Sequence, residues 1–367
     1  MTRRRVLLDG AIVKPGLGGL RTYVRGLAAG LAAHDDVELH VVTSCPDDFT
    51  TVAPDRLIGC PPATRGFVAR TAWREATLGR LARRTAADLV LVPYPEMTVR
   101  PLPVPTVMVV HDVRGLVAPR YETTPRRFRF QLALGRACRV ATRVVCVSEF
   151  TAMSLHASVR VDSSRVSVIG EAPAGHREDP VERGAVDLAT RPYVLYVGSL
   201  LPHKNVETLI RAFGPGGMDD DLLLVGPAPD RELIRVRALI DELGCADKVR
   251  HLGWLDDEEL GHLYRRARAI AIPSLHEGFG LPVLEGMEAG VPVIASDIPA
   301  FREVAGDHAT LVDRPLDPYA WQAALQSSTF DESRIAMARD WARKTSWADV
   351  AAAFVKLFDE LPSAGRR

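Results

Sequence analysis

A chain of 367 residues with 47% hydrophobic and 25% charged content has the balance of a folded globular protein and is too long for one ordinary core. Lys+Arg and Asp+Glu are equal at 46 each, and no stretch reads as a nucleic-acid module, so no nucleic-acid partner is expected. The five cysteines are odd in number and form no CxxC pair, which argues against both a disulfide framework and a zinc site and points to a reduced, cytoplasmic protein.

The chain opens on Met-Thr-Arg-Arg-Arg and an apolar run, Val6 to Leu8, that Asp9 ends. That run is too short for a signal-peptide core or a membrane span. Strands are predicted at 5–9, 37–42, 89–92, 106–110 and 144–147. Near-continuous β-branched runs of this kind mark strands buried on both faces, as in parallel sheets. Helix-length stretches at 20–33 and 126–141 lie between some of them, the βαβ pattern. Residues 1–143 hold 22 Lys/Arg against 12 Asp/Glu, so the first part is basic and the remainder acidic. Such a face suits a phosphorylated substrate or peripheral contact with an anionic membrane, and is equally a plain solvated surface.

Residues 176–192 are rich in Ala, Pro, Gly and charge without periodicity and read as a linker. The alternation then restarts. Strands are predicted at 193–197, 222–225, 249–251, 269–272, 293–295 and 310–312, and helices at 204–213, 230–243, 257–266 and 281–289. The expected domains are therefore 1–175 and 193–345, each a Rossmann-like doubly wound sheet, with 346–367 a helix returning to the first. Ligands of such folds bind beyond the carboxyl ends of the strands, and two facing sheets would make a cleft.

Four loops after strands carry unusual residues. Gly16-Leu-Gly-Gly-Leu-Arg21 offers Gly18 and Gly19 for close approach to a phosphate, but lacks the third glycine of a dinucleotide loop, and the second strand ends in Thr43-Ser44 rather than an acid. His111 ends an apolar strand, where an imidazole can handle protons or hydroxyls near neutral pH. Gly198-Ser-Leu-Leu-Pro-His-Lys-Asn205 sets Lys204 beside a predicted helix start, a combination suited to a diphosphate. In 274–286, Glu277 falls in a glycine-rich bend and Glu285 one turn into a helix. The pair is either a set of acceptors for sugar hydroxyls or a strand-to-helix turn with Glu285 on a solvated face. Asp219-Asp-Asp221 has a D-x-D spacing but precedes a strand, at the end away from these loops, and reads as a polar turn. No metal and no cofactor are expected.

In this order the pieces resemble the retaining GT-B fold glycosyltransferases of family 4, with a likeness to mannosyltransferases of bacterial surface-polysaccharide assembly. The resemblance rests on Tyr-Val-Gly-Ser-Leu then Lys-Asn at 196–205, Glu-Gly-Phe-Gly-Leu-Pro then Glu at 277–285, and Ile-Pro-Ala-Phe-Arg-Glu-Val-Ala-Gly at 298–306. It implies a nucleotide-sugar donor, GDP-mannose ahead of a UDP-sugar, and a saccharide, lipid-linked or small-molecule acceptor. By the same resemblance His111, Lys204 and Glu277 form the catalytic group: Lys204 neutralises the diphosphate, Glu277 contacts the transferred sugar and His111 meets that sugar. Glu285 would hold the ribose, the backbone of Gly278, Phe279, Gly280 and Leu281 would bind the sugar or its phosphates, Gly18 and Gly19 would close on the phosphate side, and Gly253 and Trp254 would border the base. Many relatives place an arginine where this chain has Ser199 or His203, a departure from the family's cationic pair at the diphosphate. No nucleophile is apparent, which favours front-side displacement. The competing readings are a GT-B enzyme of another reaction, such as a nucleotide-sugar epimerase or a pseudo-glycosyl coupling enzyme, and a non-catalytic sugar-nucleotide-binding protein.

Overall fold

The computed structural model describes residues 3–61, 66–95, 98, 100–118, 124–175, 191–327 and 331–362. The strands are β1 (Arg4–Asp9), β2 (Val37–Thr43), β3 (Leu57–Gly59), β4 (Leu89–Val92), β5 (Thr106–Val110), β6 (Arg143–Cys146), β7 (Val166–Val168), β8 (Tyr193–Val197), β9 (Asp221–Val225), β10 (Val249–Gly253), β11 (Ala269–Ile272), β12 (Val293–Ser296) and β13 (Thr310–Val312). The helices are α1 (Gly19–Ala33), α2 (Gly66–Arg84), α3 (Arg114–Val117), α4 (Thr124–Val140), α5 (Glu149–Ser158), α6 (Val206–Ala212), α7 (Asp230–Glu242), α8 (Asp257–Arg266), α9 (Leu281–Glu288), α10 (Pro299–Ala305), α11 (Pro318–Ser327), α12 (Glu332–Ala342) and α13 (Trp347–Asp359).

The chain divides into two units, Met1–Ala172 with Thr345–Arg367, and Pro173–Lys344. Of the linker expected over 176–192, all but residues 191 and 192 lies outside the described residues. Among the described residues, no helix is long and apolar enough to cross a membrane.

The first unit carries a seven-stranded sheet in the order β3-β2-β1-β4-β5-β6-β7, every neighbouring pair parallel. The side chains of β4 and β5 are buried throughout, which is why both read as unbroken apolar runs. The last helix of the chain belongs to this unit. Val350, Ala351, Phe354, Leu357 and Phe358 make the buried stripe of α13, and Ser346 with Asp349 closes a capping box at its start. Helix α1 meets it through glycine: a Cβ on Gly30 would stand 2.2 Å from the Trp347 carbonyl oxygen, and one on Gly26 2.1 Å from the Trp347 ring. Tyr23 of α1 packs edge-on against that ring, centroids 5.5 Å apart. At the other end of α13, Arg4 binds the Phe358 carbonyl and Asp359.

The second unit carries a six-stranded parallel sheet, β10-β9-β8-β11-β12-β13. Alternate side chains serve two cores: Leu222 and Leu224 enter one, Leu223 and Val225 the other. A sheet buried on both faces is the doubly wound arrangement, and the order 3-2-1-4-5-6 occurs once in each unit, extended by β7 in the first. In that order the chain reverses direction across the sheet between its first and fourth strands. The switch points lie between β1 and β4 in one unit and between β8 and β11 in the other.

The sequence reading does not anticipate β3, β7, α2, α3, α5, α10, α11 or α12. The helix expected over 204–213 is instead a 3-10 turn at Pro202–Lys204 followed by the seven-residue α6, with Asn205 between them at φ 55°. Lys204 therefore closes the turn, one residue before the N-cap of α6, so the start of that helix still lies beside it, two residues later than expected.

Candidate active site

The switch point of the second unit gathers the most chemistry. Strand β8 ends in Val197 and the chain continues through Ser199 to the turn carrying His203 and Lys204. Strand β11 ends in Ile272 and leads to Glu277. A backbone bond joins the two loops, Leu275 N–H to the His203 carbonyl at 2.8 Å. Asn205 pins the first loop from below: its side-chain amide donates to the Pro315 carbonyl at 2.7 Å, and its Oδ1 accepts from the Thr208 hydroxyl at 2.7 Å. On this frame the Lys204 ammonium meets Glu277 Oε1 at 2.5 Å, with both side chains about one-fifth exposed. His203 is buried, and Ser199 receives the Tyr196 hydroxyl on its carbonyl at 2.7 Å. Burial, and after it the Glu277 charge, pushes the Tyr196 phenol well above its ordinary value. Tyr196 thus stays a neutral donor beside the ion pair.

Glu285 occupies a different place. It lies one turn into α9 and is 6% exposed, which overturns the alternative of a glutamate on a solvated face. Its Oε2 accepts from the Tyr264 hydroxyl of α8 at 2.7 Å. Burial first, then the Glu285 charge, holds the Tyr264 phenol well above its usual value. Two glycines set this helix. Gly280 begins it at φ 123°, with the Phe301 ring only 2.7 Å from where a Cβ would be. Gly286 lets α9 lie on the sheet, since a Cβ there would come within 2.9 Å of Val293 and Ile270. Phe279 is half-buried, while Gly278 and Leu281 are buried. Gly253, at φ 75°, ends β10, two strands from β8, and accepts the Gly226 N–H at 2.7 Å. Trp254, next to it, is 45% exposed.

In the first unit, Gly18 (φ 68°) and Gly19 are exposed at the start of α1, and a Cβ on Gly18 would meet nothing within 4 Å. His111 follows β5, next to the switch-point strand β4. Both its ring nitrogens face oxygen: Nδ1 to Glu171 Oε1 at 2.9 Å and Nε2 to the Pro93 carbonyl at 2.9 Å. Tyr23 stands edge-on to the ring, centroids 4.5 Å apart. Sequence reasoning missed Glu171, Tyr264, Tyr196 and Tyr23. The tyrosines sit at apolar positions of strands and helices and read as core. Glu171 is a lone acid in an Ala-, Gly- and Pro-rich loop.

The acidic run before β9 is taken up by arginines. Asp220 forms a two-pronged pair with Arg268, and Asp221 pairs with Arg191 and Arg250. Among the described residues, no group of three or more His, Cys, Asp or Glu is placed to hold a metal ion.

The structure thus brings Lys204 and Glu277 into contact, ties His203 to the same loops, gives Glu285 a buried partner of its own, and leaves Gly253 and Trp254 at the end of an outer strand. Comparison with known proteins gives these positions a context. Residues 181–345 match glycosyl transferases group 1, and residues 17–171 match glycosyltransferase family 4. O-antigen chain mannosyltransferase B of Escherichia coli is 29% identical over 266 residues, covering 65% of each chain. O-antigen chain mannosyltransferase RfbU of Salmonella typhimurium is 32% identical over 219 residues, covering 59% of each. The chain thus spans about 59–65% of the length of these two relatives. Among solved structures, Anabaena HepE in complex with UDP-glucose superposes with a TM-score of 0.75 at 17% identity, covering 97% of this chain and all of that one, a likeness of fold. With two doubly wound parallel sheets, a last helix packed on α1 and both sequence matches in register with them, the chain belongs to the GT-B fold glycosyltransferases of family 4.

Proposed function

We propose that this protein is a retaining hexosyltransferase that moves a hexose from a nucleotide-sugar to an acceptor hydroxyl. The observation that carries the reading is the Lys204–Glu277 pair at the switch point between β8 and β11, where doubly wound sheets take their ligands. An ammonium and a carboxylate held side by side match the two halves of a sugar diphosphate. Lys204 faces the phosphates as the leaving group gains charge, and Glu277 accepts from the sugar hydroxyls. Glu285 holds the ribose hydroxyls, and Tyr264 fixes its carboxylate. The backbone of Gly278 to Leu281 borders the sugar and its phosphates, and Gly253 with the exposed Trp254 borders the base.

Neither glutamate acts as acid, base or nucleophile in this mechanism. The acceptor hydroxyl attacks on the face from which the diphosphate departs, through an oxocarbenium-like state. The departing phosphate oxygen takes the acceptor's proton. The protein contributes position and charge stabilisation. His203 and Ser199 stand where many relatives have arginine, so Lys204 carries the side-chain cationic share in this site.

GDP-mannose is the favoured donor, supported by the mannosyltransferase names of both reported relatives, and a UDP-hexose is second, supported by the ligand of the HepE structure. The acceptor side falls to the first unit. Its helix α4 carries exposed Phe128 and Leu132 in a run with Arg127, Arg136 and Arg139, which suits a phosphorylated or lipid-linked acceptor at an anionic surface.

A melting-temperature screen against GDP, UDP, GDP-mannose and UDP-hexoses tests the donor. A ligand at 100 times its Kd adds about 2.7 kcal/mol of stability, an easily read shift. Stabilisation by GDP and GDP-mannose above the uridine series is expected. The reverse order would move the donor to a UDP-sugar, and no response to either series would remove the nucleotide-sugar reading. Repeating the screen with phosphorylated saccharides and anionic vesicles tests the acceptor side, where silence from both would return α4 to a solvated face.

A further inference from the structure

We propose that Glu171 is a positioning residue, which holds the His111 imidazole so that it can act on substrate as a hydrogen-bond donor and not as a base. The inference rests on the reading of His111 as a sugar contact and adds to it a partner that the sequence motifs do not include.

The argument is one of hydrogen-bond accounting. The Pro93 carbonyl can only accept, so the 2.9 Å contact at Nε2 requires a proton on that nitrogen. The 2.9 Å contact between Nδ1 and Glu171 Oε1 also requires a proton between them, because two bare lone pairs would repel. Whichever atom owns that second proton, neither ring nitrogen has a lone pair to offer a reacting hydroxyl. What remains for substrate is the Nε2 proton, which a sugar hydroxyl can share with, or take over from, Pro93.

The surroundings make Glu171 the element that fixes this state. It is 5% exposed, so its carboxyl needs a partner, and the ring supplies one. Tyr23 closes the ring edge at 4.5 Å, and its own hydroxyl is fully buried without a hydrogen-bond partner among the described residues. The imidazole is therefore clamped by α1, by the loop after β4 and by the loop after β7, with its side chain 18% exposed. Glu171 is 60 residues from His111, and only the β5-β6-β7 order of the sheet brings the two together.

A double-mutant cycle tests this in the full chain, with kcat and donor KM as readouts and melting temperature as a control. Glu171→Ala should lower kcat by about ten- to a hundredfold with a smaller effect on KM, the size expected when a contacting group is displaced. Glu171→Gln, whose amide oxygen can still accept from Nδ1, should recover most of that loss. Combined with His111→Ala, Glu171→Ala should cost nothing further, within about twofold, because its effect runs through the ring. Losses that multiply in the double variant, or a Gln variant as slow as Ala with normal melting, would overturn the proposal. If Glu171→Ala does not fold, or if the wild-type chain transfers no sugar at all, the ring ¹⁵N signals of ¹⁵N-histidine-labelled wild type and Glu171→Gln decide it. Wild type should show a protonated Nε2 on His111, and an unprotonated Nε2 there would contradict the inference independently of the transferase reading.

Discussion

Lys204→Ala should lower kcat by about 10²- to 10³-fold, the loss typical of removing one preorganised group that stabilises developing charge. The diphosphate gains negative charge as the glycosidic bond breaks, and Lys204 is the ammonium held at the β8–β11 switch point, 2.5 Å from Glu277. Because the benefit grows along the reaction, kcat should fall more than donor KM rises. Stability should change little. Both partners keep some contact with water, where an ion pair contributes about 0–1 kcal/mol, and the Asn205 anchors of the loop stay intact. Lys204→Arg tests the geometry as well as the charge. Its planar fork cannot reproduce a compact ammonium beside Glu277, so recovery should be partial. Steady-state kinetics on all three proteins read this directly, and near-normal turnover of Lys204→Ala would sink the phosphate assignment.

Arg74→Ala should produce a large loss of stability in the first unit. Arg74 of α2 and Asp9 at the end of β1 are an ion pair with side chains 1% and 0% exposed. Deleting one partner of such a pair leaves a buried charge uncompensated and costs about 3–5 kcal/mol. That corresponds to a melting-temperature drop of about 6–20 °C for a unit of this size. Asp9 would keep the Ala11 N–H as a donor, which a buried carboxylate finds insufficient. The cost belongs to the unpaired charge and not to the lost attraction, so Asp9→Ala combined with Arg74→Ala should be less destabilised than the two single losses added together. Urea unfolding of the three variants measures the difference. A single variant within 1 kcal/mol of wild type would show that water reaches Asp9.

Both predictions draw on features of unequal visibility in the sequence. The central strands were legible because a strand buried on both faces has no polar positions: Leu89 to Val92 and Ala269 to Ile272 fall where their apolar runs place them. Strands β3 and β7 were not, being three residues long, at the sheet edge and partly exposed. Helix α2 hid behind its arginines, one of which, Arg74, is buried by pairing and not by hydrophobicity. Lys204, Glu277 and His111 stand out in the sequence because they are polar residues in loops that follow apolar strands, and Glu285 because it follows a glycine-rich bend. Their partners were less so. Tyr264 looks like any apolar helix position, and Glu171 becomes meaningful only when the parallel order of β5, β6 and β7 sets it against His111. The expected helix at 204–213 starts two residues early because the periodic stretch gives no sign that Asn205 takes a left-handed φ and separates the turn from α6.

The most direct measurement is the anomeric configuration of the transferred sugar. With the nucleotide-sugar that stabilises the protein, and a simple saccharide acceptor, the new glycosidic linkage can be assigned by NMR from its one-bond carbon–proton coupling. Front-side displacement at the Lys204–Glu277 site requires the product to keep the donor's configuration. An inverted linkage, or binding of the nucleotide-sugar with no transfer to any acceptor, would contradict it.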